Sequence, residues 1–298
     1  MNLNKQVVNI LSSPCCLSNL KEKKNEVVCL KCNRVYKIEE GRPVLVKRAR
    51  IGFNKKLLKY GRNQTYRIEK LPLVKMLFSP SESLRIVDKD KLLIAKLSIE
   101  SLALYIGENR TKNDHKQVVY IDIDPELDVD VIADVNDLPF KNKSFSLVIC
   151  NFVLEHLPDP KRVVEEIYRV LKKDGLVYIN MPFLAPFHPA PYDYNRLTLG
   201  GLRVLMSDFK EIESGISQGP ASALAWVLRK FPGIFFNNQF LYRISLFIMG
   251  WLVFPLKYLD YFLVKRKYAY VLASAFYYIG RKKGRGNVKM LFKEDSRL

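Results

Sequence analysis

The stretch "VIADVNDLPFKNKSFSLVICNFVLEHLPDP" (residues 131–160) decides the fold class. It alternates short apolar runs with acidic or proline-containing turns. The run "FSLVICN" (145–151) is continuous and of strand length, as in a strand buried on both faces. It leads directly into Leu154, Glu155 and His156. These residues therefore follow the carboxyl end of a predicted strand.

The flanking segments repeat this strand-like pattern. Further strands are predicted at "SLALYIG" (101–107), "QVVYIDID" (117–124), "DVDVIAD" (128–134) and "LVYINMP" (176–182). Apolar residues recur at helical spacing in 160–175, which predicts a helix ending at Gly175. Strands that alternate with helices indicate an α/β fold, with a parallel sheet covered on both faces. Such sheets bind ligands at the carboxyl ends of their strands.

Composition limits the setting and the partners. The chain has 298 residues, is 48% hydrophobic and carries a formal charge of +19. That charge predicts a polyanionic neighbour, which leaves nucleic acid, an anionic membrane and a phosphorylated substrate open. The opening "MNLNKQVVNILSSP" lacks the apolar core of a signal peptide, so we expect a cytoplasmic, reducing setting. In that setting, clustered cysteines suggest a metal site rather than disulfides.

Six segments are predicted along the chain. They are a zinc-ribbon-like segment (1–47), a basic linker with helix (48–98), an α/β core (99–220), a hydrophobic and basic helical insertion (221–267), a last core strand (268–283) and a basic tail (284–298).

The insertion combines apolar, aromatic and basic residues. Between Ala221 and Lys283 there are ten Lys or Arg residues and one acid, Asp260. Its longest uncharged run, Ile244 to Leu256, has 13 residues. Because a bilayer crossing needs about 20 apolar residues, we expect peripheral contact with an anionic membrane rather than a crossing. A substrate lid or a dimer face remains the alternative.

Several segments between Ile121 and Arg196 together resemble a class I S-adenosylmethionine (SAM)-dependent methyltransferase of the type 11 family. The matching pieces are "YIDIDP", "DVIADVNDLPFKNKSFSLVICNFVLEHLPDP", "EEIYRVLKKDGLVYINMPF" and "HPAPYDYNRLT". They occur in the order and spacing of that family. The resemblance implies a Rossmann-like sheet and SAM as the methyl donor.

The resemblance assigns donor contacts to residues at the strand ends. Asp122 would accept the ribose hydroxyls, with Asp124 as a rival, and Asp134 would meet the adenine amino group. Other residues implied near the donor are Leu138, Phe140, Asn151, Phe152 and His156. Alternatively, the two carboxylates near Pro125 belong to an ordinary turn, Asp134 caps a helix and His156 is structural.

The donor turn departs from the pattern of the family. Gly107 stands at the first glycine position, but Glu108 and Asn109 follow it and no second glycine appears. Asn tolerates a left-handed conformation, so a turn can still form. A bulkier loop would crowd the donor.

The first segment resembles the cysteine ribbon of the family. It reads "SPCC", "CLKC" and "YKIEEGRPVLV", with Ser13 at the first ligand position. Cys16, Cys29 and Cys32 keep the spacing, and Cys15 would supply the fourth zinc ligand by bending the knuckle. A zinc site and a metal-free ribbon both remain open.

The segment "PFLAPFHPAPYDYNRLT" (182–198) follows the fifth strand, where an acceptor would bind. His188 offers a base, Asp193 a carboxylate, Tyr194 a phenol and Arg196 an anion-binding fork. In the resembling family such a group recurs in enzymes of glycan or lipid-linked sugar pathways. A structural loop with an Arg196–Asp193 pair is the alternative.

The main hypothesis is methyl transfer to an oxygen of a small-molecule, lipid-linked or glycan acceptor. RNA methylation is a second hypothesis, supported by the charge and the ribbon. However, the fourth strand ends in "NFVLEH" and not in the Asn/Asp-Pro-Pro-aromatic turn of enzymes that methylate exocyclic base nitrogens, so nucleic acid is the less favoured partner. A catalytically inactive scaffold with this fold is the third.

Overall fold

The protein is described by a computed structural model over residues 5–47, 83–86, 89–107, 117–188 and 192–283. Most of the predicted linker, the donor loop after Gly107 and the predicted tail lie outside these residues. Within them, eleven strands form one sheet in the order β1-β2-β3-β4-β7-β6-β5-β8-β9-β11-β10. The strands are β1 (Leu20–Lys23), β2 (Glu26–Cys29), β3 (Val35–Glu39), β4 (Arg42–Leu45), β5 (Ala103–Ile106), β6 (Val118–Asp122), β7 (Val131–Ala133), β8 (Phe145–Asn151), β9 (Leu171–Pro182), β10 (Phe209–Gln218) and β11 (Ala275–Lys282).

Helices connect and cover these strands. The α-helices are α1 (Lys5–Ile10), α2 (Lys89–Ala95), α3 (Pro160–Val170), α4 (Leu199–Leu205), α5 (Pro220–Lys230), α6 (Gln239–Val253) and α7 (Asp260–Leu263). Short 3-10 turns occur at Val135–Asp137, Leu154–His156, Phe231–Phe235, Phe254–Leu259 and Ala269–Leu272.

The centre of the sheet is parallel. β7, β6, β5, β8 and β9 run in one direction, and β11 lies antiparallel between β9 and β10. All four residues of β5 are buried, as expected for a central strand covered on both faces. The predicted α/β class is therefore confirmed.

Each face of the sheet carries its own hydrophobic cluster. On one face, Val163 and Ile167 of α3 and Leu202 of α4 pack into the larger cluster. On the other face, Ile94 of α2 packs with Tyr105 and Tyr120. Helices therefore cover both faces, and α2 falls inside the segment predicted as a linker.

Helix α3 ends five residues earlier than its apolar spacing predicts. It begins at Pro160 behind the capping side chain of Asp159, which accepts a hydrogen bond from the Arg162 N–H. It ends at Val170 because Leu171 is extended and pairs with Phe145 of β8. The lysine-rich end of the predicted helix is therefore part of β9.

The cysteine-containing segment is joined to the central sheet. Val44 and Leu45 of β4 pair in parallel with Ile132 and Ala133 of β7. Leu45 is fully buried in the same cluster as the central strands. The boundary predicted at residue 47 therefore does not separate two hydrophobic cores.

The insertion folds back on itself before the last strand. β11 begins at Ala275, later than the predicted 268, because Ala269–Leu272 forms a 3-10 turn. Gln239–Leu263, 25 residues, is long and apolar enough by length and composition to cross a membrane, and 17% of the apolar window in it is buried within the protein. The expectation of peripheral membrane contact rather than a crossing stays a prediction.

One feature of that stretch favours packing on the protein. The Asp260 carboxylate is fully buried and accepts hydrogen bonds from the Ala221 N–H (2.8 Å), the Ser222 N–H (2.9 Å) and the Ser222 hydroxyl (2.7 Å). Asp260 thus satisfies the first turn of α5, where helical N–H groups lack partners. Gly219 leaves room for it, since a Cβ there would lie 2.3 Å from Asp260 Oδ1.

Candidate functional site

Several predicted donor residues meet at one edge of the sheet. Ile106 of β5 pairs with Ile121 of β6 and with Cys150 of β8, and Asp122 pairs with Ile132 of β7. The strands are parallel, so the residues that follow them share the carboxyl edge. Gly107, Asp122, Asp134 and the turn after β8 are therefore neighbours there.

Gly107 is required by its position. Its φ is +81°, a left-handed conformation that favours glycine, and its N–H donates to the Ile121 carbonyl (3.1 Å). A Cβ on this residue would lie 2.1 Å from Cγ2 of Val153. The chain after β5 thus passes close to the turn after β8, and a side chain at 107 would separate them.

The two carboxylates after β6 form local turns. Asp122 Oδ1 accepts from the Asp124 N–H (2.8 Å), and Asp124 Oδ1 accepts from the Glu126 N–H (3.0 Å). Asp122 is half-buried at the end of its strand. Its role toward a ribose stays a prediction.

Asp134 caps the 3-10 turn Val135–Asp137. Its Oδ1 accepts from the Asn136 N–H (2.9 Å) and from Asn136 Nδ2 (2.7 Å). Capping was the alternative considered for this residue, and the structure shows the capping contact. Both hydrogen bonds end on Oδ1 of Asp134. The contact of Asp134 with an adenine amino group stays a prediction.

Leu138 and Phe140 lie inside the core. Both are fully buried, and the Phe140 ring packs edge-to-face on Phe145 with ring centroids 4.9 Å apart. The Leu138 N–H donates to Glu166 Oε2 (2.8 Å). Neither side chain is exposed, and their place near the donor stays a prediction.

Asn151 belongs to a buried polar network. Its Nδ2 donates to the Tyr105 hydroxyl (2.6 Å) and to Asp90 Oδ2 (3.1 Å), while its Oδ1 accepts from Asn180 Nδ2 (2.7 Å). These contacts order the side chain within the protein. The sequence did not single out Asp90, because it lies in the segment predicted as a linker.

The turn after β8 holds a buried acid. Phe152 has a φ of +53° and turns the chain into the 3-10 segment Leu154–His156. Glu155 is fully buried, and within the described residues neither carboxylate oxygen has a hydrogen-bond partner. Burial raises the pKa of Glu155 to about 8.

The predicted acceptor segment packs on this turn. The N–H groups of Tyr194 and Asn195 donate to the Glu155 carbonyl (2.7 and 3.2 Å). The His156 and His188 rings meet edge-to-face with centroids 5.4 Å apart. Residues assigned from sequence to the donor side and to the acceptor side are thus brought together.

Both histidines are largely buried. Burial lowers the pKa of His156 and that of His188, because it disfavours the charged imidazolium. His156 Nδ1 lies 2.6 Å from the Tyr192 carbonyl oxygen, and His188 Nδ1 lies 3.2 Å from that of Pro186. A proton on Nδ1 of His156 would leave its Nε2 with a free lone pair.

The Asp193–Arg196 ion pair is present. Arg196 donates to both oxygens of Asp193, from Nη1 to Oδ1 and from Nη2 to Oδ2. Arg196 Nη2 also lies 3.2 Å from His188 Nδ1, and the His188 N–H donates to Asp193 Oδ2 (2.9 Å). The Asp193–Arg196 pair, which was the structural alternative for this loop, therefore also contacts His188. The Tyr194 side chain is half exposed.

Sequence reasoning missed Glu155 as a site residue. Its neighbour His156 was singled out, and Glu155 was named only as the residue before it. The sequence offered one signal, because Glu155 lies four residues after the end of a strand predicted to be buried. Its burial and the approach of His188 depend on a segment more than thirty residues later.

The four cysteines of the ribbon converge. Their sulfurs lie within 4.8 Å of one another, with 3.1 Å between Cys15 and Cys32 and 3.4 Å between Cys16 and Cys29. Sulfurs about 2.3 Å from a tetrahedral zinc are ~3.8 Å apart, so the cluster fits this ion. Zinc binding itself stays a prediction.

Ser13 explains how Cys15 joins the cluster. The Ser13 hydroxyl occupies the first ligand position, 2.9 Å from Cys15 Sγ and 2.7 Å from the Tyr36 hydroxyl. The Tyr36 hydroxyl also donates to Cys15 Sγ (3.5 Å). Burial opposes ionisation of Cys29, but the N–H groups of Cys32 and Lys31 lower its pKa to about 6. A thiolate of this kind is a ready zinc ligand.

Comparison with known proteins identifies part of the chain. The methyltransferase domain family matches residues 102–179. An uncharacterised protein of Methanocaldococcus jannaschii is 43% identical over 51 residues, 17% of this chain and 25% of that protein. A demethylmenaquinone methyltransferase of Lactobacillus johnsonii is 48% identical over 47 residues, 16% of this chain and 19% of that protein. The chain spans a quarter or less of the length of these curated relatives.

A solved structure of Haemonchus contortus phosphoethanolamine N-methyltransferase 2 in complex with SAM is similar over 76% of this chain and 60% of that one, with a TM-score of 0.46 and 14% identity. The matched residues 102–179 contain β5 to β8, α3 and most of β9, which are the elements that build the carboxyl edge. Over residues 102–179 this chain is similar to the methyltransferase domain family, and these residues form a parallel α/β sheet of Rossmann-like arrangement.

Proposed function

We propose that this chain is a SAM-dependent methyltransferase that acts on an oxygen of a lipid-linked or glycan acceptor at a membrane surface. The observation that carries the proposal is the place of His188. Its ring lies beside the His156 turn at the donor edge and against Trp226 of the insertion, with ring centroids 5.4 and 5.7 Å apart. A base is thus next to both the predicted donor edge and the apolar helices.

The donor side of the proposal rests on the shared strand edge. Gly107 keeps the chain after β5 close to the turn after β8, and Asp122 ends the adjacent strand. A carboxylate in this position suits a ribose diol, which offers two hydroxyl donors. The methyl group of the bound sulfonium would then face the residues that follow β8 and β9.

The chemistry needs an acceptor hydroxyl and a base. The hydroxyl oxygen attacks the methyl carbon, the carbon–sulfur bond breaks, and S-adenosylhomocysteine leaves with the bonding pair. The hydroxyl proton passes to His188, which is neutral because burial lowers its pKa. The Asp193–Arg196 pair positions this residue, because Arg196 Nη2 lies 3.2 Å from the imidazole Nδ1 and Asp193 Oδ2 accepts from the main-chain N–H of His188.

The insertion supports a lipid-linked acceptor. Large apolar side chains on α5–α7 and their connecting turns are exposed, among them Phe235 (76%), Phe240 (70%) and Phe262 (70%). The insertion is basic, and its one acid, Asp260, is buried against α5. Exposed aromatic side chains with a surplus of basic residues suit the interface of an anionic bilayer.

A labelling experiment tests the function. The full chain is incubated with methyl-labelled SAM and, in parallel, membrane lipid extract, glycan fraction and total RNA. We expect label in the lipid or glycan fraction. Label in RNA alone would contradict this proposal and identify nucleic acid as the acceptor. Asp122→Ala should abolish donor binding in calorimetry, whereas Asp124→Ala, which alters the adjacent carboxylate, should retain most of it. If the wild type did not bind the donor, the protein would be a catalytically inactive scaffold rather than a methyltransferase.

Flotation tests the membrane contact. The protein should float with vesicles containing phosphatidylglycerol and less with pure phosphatidylcholine. Phe235→Ser with Phe262→Ser should reduce flotation at least tenfold. Ile99→Ser changes an equally exposed apolar residue (87%) outside the insertion and should have no effect. Equal flotation of all variants would contradict the interfacial assignment.

A further inference from the structure

Three potential metal ligands meet beneath the acceptor segment. Glu155 and His156 belong to the 3-10 turn after β8, and His188 follows β9. One nitrogen of each histidine and one carboxylate oxygen of Glu155 lie within 4.8 Å of one another. Two imidazoles and a carboxylate form a donor set that suits divalent transition metals.

The Glu155 carboxylate needs a partner. The side chain is fully buried, and within the described chain neither oxygen has a hydrogen-bond donor. Isolated buried carboxylates are costly, so such a group takes up a proton or binds a cation. The main chain of Glu155 is satisfied, because its carbonyl accepts from the Tyr194 and Asn195 N–H groups. Only the side-chain carboxylate of Glu155 therefore lacks a hydrogen-bond partner within the described residues.

The nearest guanidinium is already committed. Arg196 donates to both oxygens of Asp193 and to the carbonyls of Ala185 and Pro186. His156 Nε2 lies 3.9 Å from Glu155 Oε1, which is too long for a hydrogen bond. Within the described residues, Glu155, His156 and His188 make no hydrogen bonds to one another.

The histidines are held in the way that metal-binding histidines usually are. His156 Nδ1 lies 2.6 Å from the Tyr192 carbonyl oxygen, and His188 Nδ1 lies 3.2 Å from the Pro186 carbonyl oxygen. For His156, a main-chain carbonyl that accepts from Nδ1–H fixes the tautomer in which Nε2 can bind a metal. His188 Nδ1 also lies 3.2 Å from Arg196 Nη2, so this ring is positioned by both neighbours. Both rings are therefore oriented by the protein before any ion arrives.

We propose that Glu155, His156 and His188 bind a divalent transition metal ion. Three protein ligands leave at least one coordination position open, as in catalytic sites and not in closed structural sites. The site is separate from the cysteine cluster, which is built from the first 32 residues of the chain.

The consequence for methyl transfer rests on the proposed function. A hydroxyl oxygen at the open position of the ion would have a lowered pKa and a fixed place relative to the donor. With an ion bound, Glu155, His156 and His188 would all be ligands, and the proton of the acceptor hydroxyl would pass to solvent water instead of to His188. Metal binding itself requires neither donor nor acceptor.

Cobalt(II) titration of the full chain tests the site. Thiolate-to-cobalt absorption reports the cysteine cluster, and elemental analysis after desalting counts all bound ions. We expect one equivalent beyond the thiolate-bound ion. Glu155→Gln and His188→Ala should each lose this equivalent and keep the thiolate absorption, whereas His115→Ala should bind as the wild type does. His115 lies outside the described residues and is the third histidine of the chain.

Two results would overturn the proposal. One is a wild type that binds cobalt through thiolates alone. The other is wild-type stoichiometry of bound ion in Glu155→Gln, a substitution that keeps the shape of the side chain and removes its charge. Labelled methyl transfer that is unaffected by dipicolinate and by Glu155→Gln would exclude a role of the ion in the reaction and would support the methyltransferase activity without it. Cobalt binding without any methyl transfer to lipid, glycan or RNA would support the metal site and contradict the proposed methyltransferase function.

Discussion

The sharpest test of the sheet edge is Gly107→Ala. An added Cβ would lie 2.1 Å from Cγ2 of Val153, whereas carbon atoms pack at about 3.5–4.0 Å. The two chain segments must therefore separate by ~1.5 Å, and overpacking of this kind costs about 1–3 kcal/mol. The left-handed φ of +81° adds about 1 kcal/mol for alanine. We expect the free energy of unfolding to fall by about 2–4 kcal/mol.

A second substitution separates the two causes. Val153→Ala removes Cγ2, so the penalty of Gly107→Ala should shrink to about 1 kcal/mol in that background. Urea unfolding measures the four variants of the cycle, and calorimetry with SAM follows the donor affinity, which should drop at least tenfold in Gly107→Ala. Gly200→Ala is the control, because its Cβ would meet nothing closer than Thr198 Oγ1 at 3.9 Å. An equal penalty with and without Val153 would refute the steric argument.

Three further predictions concern other parts of the molecule. Asp260→Ala removes the acceptor of three hydrogen bonds at the start of α5, and a loss of about 3 kcal/mol with faster proteolysis of the insertion is expected; an unchanged cleavage rate would contradict it. Burial opposes ionisation of Asp193, but Arg196 lowers its pKa below 3.8, so the pair stabilises the protein above about pH 4 and the gain disappears as the pH falls further. In Asp193→Asn the free energy of unfolding should fall less steeply with decreasing pH in this acidic range. A fall as steep as that of the wild type would show that the ion pair does not contribute to stability. In a Glu155→Gln background, where only the cysteine cluster can hold an ion, a chelator should lower the melting temperature, but it should not do so when Cys29→Ser is added; an insensitive Glu155→Gln variant would argue against bound zinc.

The parallel strands could be predicted because each is a continuous apolar run that ends at a polar residue. β8 has the bounds that its sequence suggests, since Phe145–Asn151 is followed by a turn that no strand could continue. The end of α3 could not be predicted. Its apolar spacing continues to Leu171, and only the pairing of that residue with Phe145 makes it extended.

The candidate site was predicted residue by residue but not as an assembly. The sequence identified His156 and His188 separately, and assigned one to the donor and the other to the acceptor. Their contact depends on the chain returning after β9, so that the N–H groups of Tyr194 and Asn195 reach the Glu155 carbonyl. Contacts between distant segments of this kind leave no local pattern, and the isolation of the Glu155 carboxylate follows from them.

The parallel pairing of β4 with β7 means that the cysteine-containing ribbon shields one border of the central sheet. Without residues 1–47, β7 would present unpaired N–H and C=O groups and the surface that Leu45 now covers. Unprotected borders of this kind recruit strands from other molecules. A shortened chain that begins at residue 99 should therefore self-associate even if its own strands fold, and its solubility depends on a segment that the matched domain does not include.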